Sequence, residues 1–181
     1  MKNFIKLIRP KHYFKNLFIL LPLFFSGQID NTELLLDGLV AFIAFSLVAS
    51  SIYIFNDYRD IAHDKKHPTK RFRPLALGLI KKSIALNLMI IFLISGSILM
   101  YFLSFKSFIV LTIYILLNFA YSLKLKQIAL LDVTIIASGF VLRIFAGSFA
   151  YGVPLTIWIV IMTFLIALFL ALAKRRDDVL I

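Results

Sequence analysis

The chain has 181 residues, 61% of them apolar and none of them cysteine, with a mean hydropathy of +0.95 and a formal net charge of +11. That hydropathy excludes an ordinary soluble domain, and the lack of cysteine excludes a disulfide scaffold. The positive charge collects at the ends of apolar stretches, which gives it a topological role and argues against nucleic-acid binding.

Six apolar stretches follow one another: Tyr13–Ile29, Leu34–Phe55, Ser83–Phe105, Ser107–Leu123, Ile128–Tyr151 and Pro154–Ala173. Stretches of ~17–25 residues cross a bilayer as helices, because lipid offers the backbone no hydrogen-bond partners. The sequence therefore predicts an all-α polytopic membrane protein, with residues 1–181 forming one integral-membrane domain. If the spans alternate, 18 of the 20 Lys and Arg residues fall on one side, so the N-terminus is expected in the cytoplasm of a cell-membrane protein. The lipid bilayer is its first partner, and anionic headgroups reinforce the asymmetry.

Residues 1–12 carry Lys2, Lys6, Arg9 and Lys11 among apolar residues and read as an interfacial lead into the first span. Lys15 and Asn16 lie within reach of the same surface, where snorkelling is the plain account of a lysine. No small-residue cleavage site marks the first stretch as a removable signal. The second span carries small residues at Ser46, Ala49, Ser50 and Ser51, which favour close helix packing.

That span runs into Asn56-Asp57-Tyr58-Arg59-Asp60-Ile61-Ala62-His63-Asp64, which opens a cytoplasmic loop over about residues 56–82. On a continuous helix Asp57, Asp60 and Asp64 share one face over ~10 Å of axis. Like charges so spaced repel, and a cation compensates them. With only oxygen ligands on offer, Mg²⁺ or Mn²⁺ suits the site, and Mg²⁺ completes its shell with water and phosphate oxygens. The constellation reads as a carboxylate–metal–diphosphate clamp; the alternative is a solvated helix end paired with nearby lysines and arginines. His67, Lys70, Arg71 and Arg73 follow at once as a candidate anion site, in a loop that Pro68 and Pro74 keep from being regular helix.

Towards the end of the fourth span, Tyr121 with Lys124 or Lys126 reads either as a phosphate contact or as an interface belt. The fifth span holds Asp132 near one end and Arg143 near its middle, almost three turns apart and so on one face. An arginine at that depth costs ~2.5 kcal/mol or more against lipid. It should face the bundle interior, as a substrate contact or in a buried ion pair. The sixth span ends in Lys174, Arg175, Arg176, Asp177 and Asp178. These read as a stop-transfer cluster, or, through Asp177 and Asp178, as further metal ligands.

Asn56-Asp57-x-x-Asp60-x-x-x-Asp64 followed by Arg73-Pro74-Leu75-Ala76 resembles the first Asp-rich motif of the UbiA superfamily of intramembrane prenyltransferases. The string His67-Pro68-Thr69-Lys70-Arg71-Phe72-Arg73-Pro74 is similar to the branch of decaprenyl-phosphate phosphoribosyltransferases and their relatives. So are Arg9-Pro10-Lys11-His12-Tyr13-Phe14-Lys15-Asn16, Tyr121-Ser122 with Lys126, Asp132, the Phe140–Gly147 stretch with Arg143, and Lys174-Arg175. The resemblance implies a bundle of nine transmembrane helices around a cavity, of which this chain holds about six, as a C-terminally truncated member would. Lys174-Arg175-Arg176-Asp177-Asp178 departs from the family's second Asp motif.

The resemblance implies an Mg²⁺-dependent transferase. Its substrates are phosphoribosyl diphosphate and a polyprenyl phosphate, or a polyprenyl diphosphate and an aromatic or other acceptor. Both reactions expel diphosphate from a carbon that carries developing positive charge. The surplus of cations favours phosphoribosyl transfer, since a 5-phosphate and a lipid phosphate each need partners. On that reading His67, Lys70, Arg71 and Arg73 meet the donor, and Lys15 and Lys126 hold the lipid phosphate. A transporter or non-catalytic scaffold is the alternative from another class, and it leaves the Asp spacing unexplained.

Overall fold

The computed structural model describes residues 2–123, 125 and 128–180, with the side chains of 129 and 176–180 outside that description. In chain order come α1 (Lys2–Ile8), a 3₁₀ helix (Pro10–Leu20), α2 (Leu21–Phe25), α3 (Thr32–Arg59), α4 (Ile61–Asp64), a 3₁₀ turn (Lys70–Phe72), α5 (Lys82–Leu103), α6 (Phe105–Leu123), α7 (Ala129–Tyr151) and α8 (Ile157–Leu180). There is no strand among the described residues. Five helices, α3 and α5–α8, are long and apolar enough to cross a membrane.

The bundle is built round α3. Of its apolar stretch 61% is buried, against 17%, 28%, 44% and 11% in α5, α6, α7 and α8. Asn31 starts it, its side chain accepting hydrogen bonds from the backbone N–H of Glu33 and Leu34. Close approach to α5 depends on Gly96, where a β-carbon would stand 2.6 Å from the Ala44 carbonyl oxygen. Phe45, Val48 and Ile52 of α3 pack with Met100, Leu111, Tyr114 and Ala146 in the main core. A second cluster joins Leu7, Ile54, Leu75, Ile80 and Ala85, and so pins both α1 and the basic loop to the charged end of α3.

The first expected span is not a uniform α-helix. Its residues wind first as 3₁₀ and then as α, with a turn at Gly27 (φ 70°). Two prolines shape this: Pro10 and Pro22 each stand in the first turn of their helix, where a missing N–H costs nothing. The backbone at Ile19 lies directly on α7. A β-carbon on Gly147 would overlap the Ile19 carbonyl oxygen, which instead accepts a 2.7 Å hydrogen bond from the Tyr151 hydroxyl. At ~2.0 Å per residue for 3₁₀ and ~1.5 Å for α, the two pieces laid end to end still reach ~30 Å, the thickness of a hydrocarbon core.

Small residues of α3 serve this segment more than helix packing alone. Ser46 accepts from the Asn16 amide at 2.8 Å, and Ser50 bonds both the Tyr13 hydroxyl (2.8 Å) and the Ile8 carbonyl (2.9 Å). The polar side chains at Ser46 and Ser50, about one turn apart, thus tie residues 8–16 to the second half of α3.

Candidate functional site at the charged end of the bundle

The ends of four elements meet where α3 stops. Asn56 bonds Ser122, and the Arg59 guanidinium donates to the carbonyls of Ser122 (2.6 Å) and Leu123 (3.0 Å), capping the last turn of α6. The Tyr121 hydroxyl donates to Asp132 at 2.8 Å, and Asp132 pairs with Arg175 of α8 at 2.5 Å. This lattice fixes the frame in which the Asp-rich segment sits.

The three carboxylates do not share one helix face. The helix breaks at Asp60 (φ −89°, ψ 7°), which ends α3 and precedes the single turn of α4. Hydrogen bonds from Asp60 N to Asn56 O and from Asp64 N to Asp60 O carry the chain's sense across the break. Asp57 and Asp64 therefore still converge, and both are 2% exposed. Asp60 is half-buried and lies on the Tyr121 side, within electrostatic reach of that ring. Among the described residues no three acidic or histidine side chains gather as a metal site. The expected three-ligand cluster is thus a pair, with Asp60 set apart.

What joins the pair is arginine. Arg73 Nη1 stands 3.1 Å from Asp57 Oδ1 and 2.8 Å from Asp64 Oδ2, and Arg9 Nη2 stands 2.6 Å from Asp57 Oδ1. One nitrogen thus bridges two buried carboxylates, as a cation would. A divalent ion held by these two acids would need the place between them, which positive charge fills. Arg73 precedes Pro74 and takes the extended backbone that proline imposes (φ −66°, ψ 142°). Arg9 precedes Pro10 yet is left-handed (φ 58°, ψ 56°), among the described residues the sole non-glycine with positive φ. Such a conformation costs on the order of 1–3 kcal/mol and persists only where contacts impose it. Here they are the Asp57 ion pair and the Tyr53 ring, whose centroid lies 5.4 Å from the guanidinium carbon.

Beside the arginines lies a cleft of about 510 Å³, between the N-terminal segment (Ile5, Lys6, Arg9, Pro10, Lys11, His12) and the loop (Thr69, Lys70, Phe72, Arg73, Pro74). Its lining contains five lysines and arginines and no acid, so it favours a ligand with several negative charges. The His12 ring packs on Tyr53, their centroids 5.1 Å apart.

The remaining expected residues divide. Lys70 lines the cleft. Arg71 is exposed and lies over the Phe72 ring, its guanidinium carbon 4.9 Å from the centroid. His67 Nδ1 accepts from the backbone N–H of Thr69 (3.2 Å) and Lys70 (3.3 Å), so that nitrogen shapes the loop and leaves only Nε2 for a ligand. Lys15 is exposed, within electrostatic reach of Arg143 and Lys174. Lys174 is exposed too, and Arg175 is engaged by Asp132. Lys126 and the side chains of Asp177 and Asp178 lie outside the described residues.

Arg143 is 5% exposed and its partners are neutral: Nε donates to Asn16 Oδ1 (2.8 Å), Nη1 to the Gly139 carbonyl (2.6 Å) and Nη2 to the Tyr114 hydroxyl (3.1 Å). The rings of Phe45, Tyr114 and Phe140 surround it, with centroids 5.0–5.5 Å from the guanidinium carbon. No carboxylate pairs with it among the described residues, and Asp132 turns to Arg175 instead. The buried-ion-pair reading is therefore wrong, and Arg143 is the pin that fixes Asn16 against α7.

Sequence reading assigns no ligand role to Arg9, Lys6 or Tyr114. It places Lys6 and Arg9 in an interfacial lead, and Arg9 also in the string that resembles the phosphoribosyltransferase branch. The signal was there in Arg9-Pro10, an arginine held at a fixed step before a kink.

A profile of the UbiA prenyltransferase family matches residues 17–180. The chain is 37% identical to decaprenyl-phosphate phosphoribosyltransferase of Mycolicibacterium smegmatis, over 98% of the chain and 57% of that protein. It is 36% identical to the protein of the same name from Corynebacterium glutamicum, over 98% of the chain and 54% of the relative. The chain thus spans little more than half the length of these relatives. Among solved structures, a UbiA homologue from Archaeoglobus fulgidus superposes with a TM-score of 0.76 at 22% identity, over 92% of this chain and 60% of that one. Matched by that profile over most of its length and by relatives at 36–37% identity, this chain belongs to the UbiA prenyltransferase family.

Proposed function

We propose that this chain carries the donor half of a divalent-metal-dependent transferase site. It moves 5-phosphoribosyl from phosphoribosyl diphosphate to a polyprenyl phosphate and releases diphosphate. The carrying observation is the pair of buried carboxylates, Asp57 and Asp64, set behind a cleft whose charged residues are all cations. The names of the Mycolicibacterium and Corynebacterium relatives supply the substrate class. Mg²⁺, named with the Archaeoglobus homologue, would be held by Asp57 and Asp64 and would neutralise charge on the leaving diphosphate.

The protein's own residues do the rest. Arg9, Arg73 and Lys70 hold the donor's phosphates, and Lys6 and Lys11 widen the cationic field towards the 5-phosphate. The bond from C1 to the diphosphate oxygen breaks with its electron pair going to diphosphate. A new bond forms from C1 to an oxygen of the lipid phosphate, giving a phosphodiester. The acceptor phosphate takes Lys15, with Lys126 and Lys174, and Arg143 steadies that segment through Asn16. An apolar groove of about 390 Å³ between α6, α7 and α8, lined by Leu117, Leu142, Phe145 and Phe164 among others, suits an isoprenoid tail. The charged end faces the cytoplasm, by the excess of lysine and arginine there.

A second reading is transfer of a prenyl group from its diphosphate, since the Archaeoglobus homologue is described with DMAPP and GPP. Membranes containing the protein, given radiolabelled phosphoribosyl diphosphate, a polyprenyl phosphate and Mg²⁺, should put label into lipid and release diphosphate. Asp57→Asn should lower that rate at least 100-fold. In a parallel incubation with a radiolabelled prenyl diphosphate, an aromatic acceptor and Mg²⁺, prenylated acceptor, with no ribosylated lipid in the first incubation, selects the second reading; neither product, with intact folding, leaves transport or scaffolding.

A further inference from the structure

Arg9 and Arg73 stand between the cleft and the two carboxylates. Both line the cleft, and both reach back to Asp57, Arg73 also to Asp64. A polyphosphate entering the cleft meets the guanidinium groups first. A divalent ion arriving alone meets carboxylates already neutralised. We propose that the two arginines are exchangeable counterions: they stay on Asp57 and Asp64 until a diphosphate group draws them off, so metal and diphosphate bind as one unit and the bare metal binds poorly. This rests on the reading of Asp57 and Asp64 as metal ligands.

Three observations carry the exchange. The first is geometric: a single nitrogen of Arg73 sits within hydrogen-bond reach of both acids, so it occupies the place between them. The second is the balance of charge. Two guanidinium groups face two carboxylates, and a metal added without an anion would leave two cations stranded beside it. A metal–diphosphate unit supplies the missing negative charge, and the arginine forks suit phosphate oxygens bidentately. The third is mechanical. Arg9 holds a left-handed backbone immediately before Pro10, and its side chain is about 21% exposed, so release from Asp57 lets the residue relax while its head turns into the cleft. By contrast the Arg175–Asp132 pair, bonded to Tyr121, lies outside the cleft lining and takes no part.

The exchange gives Arg9 and Arg73 a specificity role as well. They make the carboxylate pair selective for metal that arrives complexed to polyphosphate, against free divalent ions at cellular concentration.

The test is equilibrium dialysis of the chain in lipid nanodiscs with radiolabelled Mn²⁺, alone and as its preformed diphosphate complex. Wild type should bind the complex at least tenfold more tightly than Mn²⁺ alone. Arg73→Gln should move the two affinities in opposite directions: Mn²⁺ alone about tenfold tighter, the complex about tenfold weaker. A variant that had only lost structure would weaken both. Should Arg73→Gln not give folded protein, Arg9→Gln should shift the same way by a smaller factor, because Asp57 keeps Arg73. Equal binding of Mn²⁺ alone and of the complex by wild type would overturn the exchange. So would unchanged or weaker Mn²⁺ binding in a folded arginine variant. If phosphoribosyl transfer fails while the opposed shifts appear, the exchange stands and the donor assignment falls.

Discussion

Arg143 shows how a buried charge is made tolerable with no opposite charge on it among the described residues. Three hydrogen bonds and three rings replace the water it loses, each bond to a charged group being worth roughly 1.5–3 kcal/mol. Replacing Arg143 by Met keeps the volume but strands Asn16 Oδ1. Arg143→Met should therefore cost about 2–4 kcal/mol, seen as a lower unfolding temperature in detergent. Arg143→Lys should not rescue it, because a point charge cannot span three partners fixed by a planar fork. A Met variant as stable as wild type would show that the burial cost equals everything the contacts return.

At the scale of elements, hydropathy located the long helices well because lipid enforces them. The expected Leu34–Phe55, Ser83–Phe105 and Ser107–Leu123 lie within a few residues of α3, α5 and α6. It failed at Pro10–Leu20, where apolarity and length match a helix but winding is set by tertiary contact. Nothing local announces that the Ile19 carbonyl will rest on Gly147 and accept a hydrogen bond from Tyr151. The same limit hid the break at Asp60. Spacing put Asp57, Asp60 and Asp64 on one face only for an unbroken helix, and the pairing of Asp57 and Asp64 with Arg73 is a contact across the loop. Gly147→Ala should therefore destabilise by roughly 1–3 kcal/mol, since the new methyl meets backbone that cannot yield. The readout is thermal unfolding, and Gly96→Ala should behave alike, its β-carbon pressing on the Ala44 carbonyl. If Gly147→Ala left stability unchanged, the 3₁₀ segment would not be seated on α7 as described.

At the scale of the whole molecule, the family and the charged end were legible, because an Asp-rich segment beside a basic run is local in sequence. The lattice from Asn56 and Arg59 through Ser122 and Tyr121 to Asp132 and Arg175 was not, since its members lie up to 119 positions apart in the chain. The orientation of that lattice is open to direct test. The chain has no native cysteine, so single substitutions report cleanly. Lys66→Cys should react with an impermeant thiol reagent only from the cytoplasmic side, and Gln28→Cys only from the opposite side; labelling of both from one side contradicts an odd number of crossings between them.

The tightly wound start of the bundle has one more consequence. Rewinding residues 10–20 from 3₁₀ to α would draw in the strand of chain by roughly 5 Å, at a difference of ~0.5 Å per residue. That is longer than the Arg9–Asp57 contact of 2.6 Å. A change of helical pitch beside Gly147, in the membrane, would thus be felt as traction at the charged end, and paired spin labels on α1 and α3 would read its length.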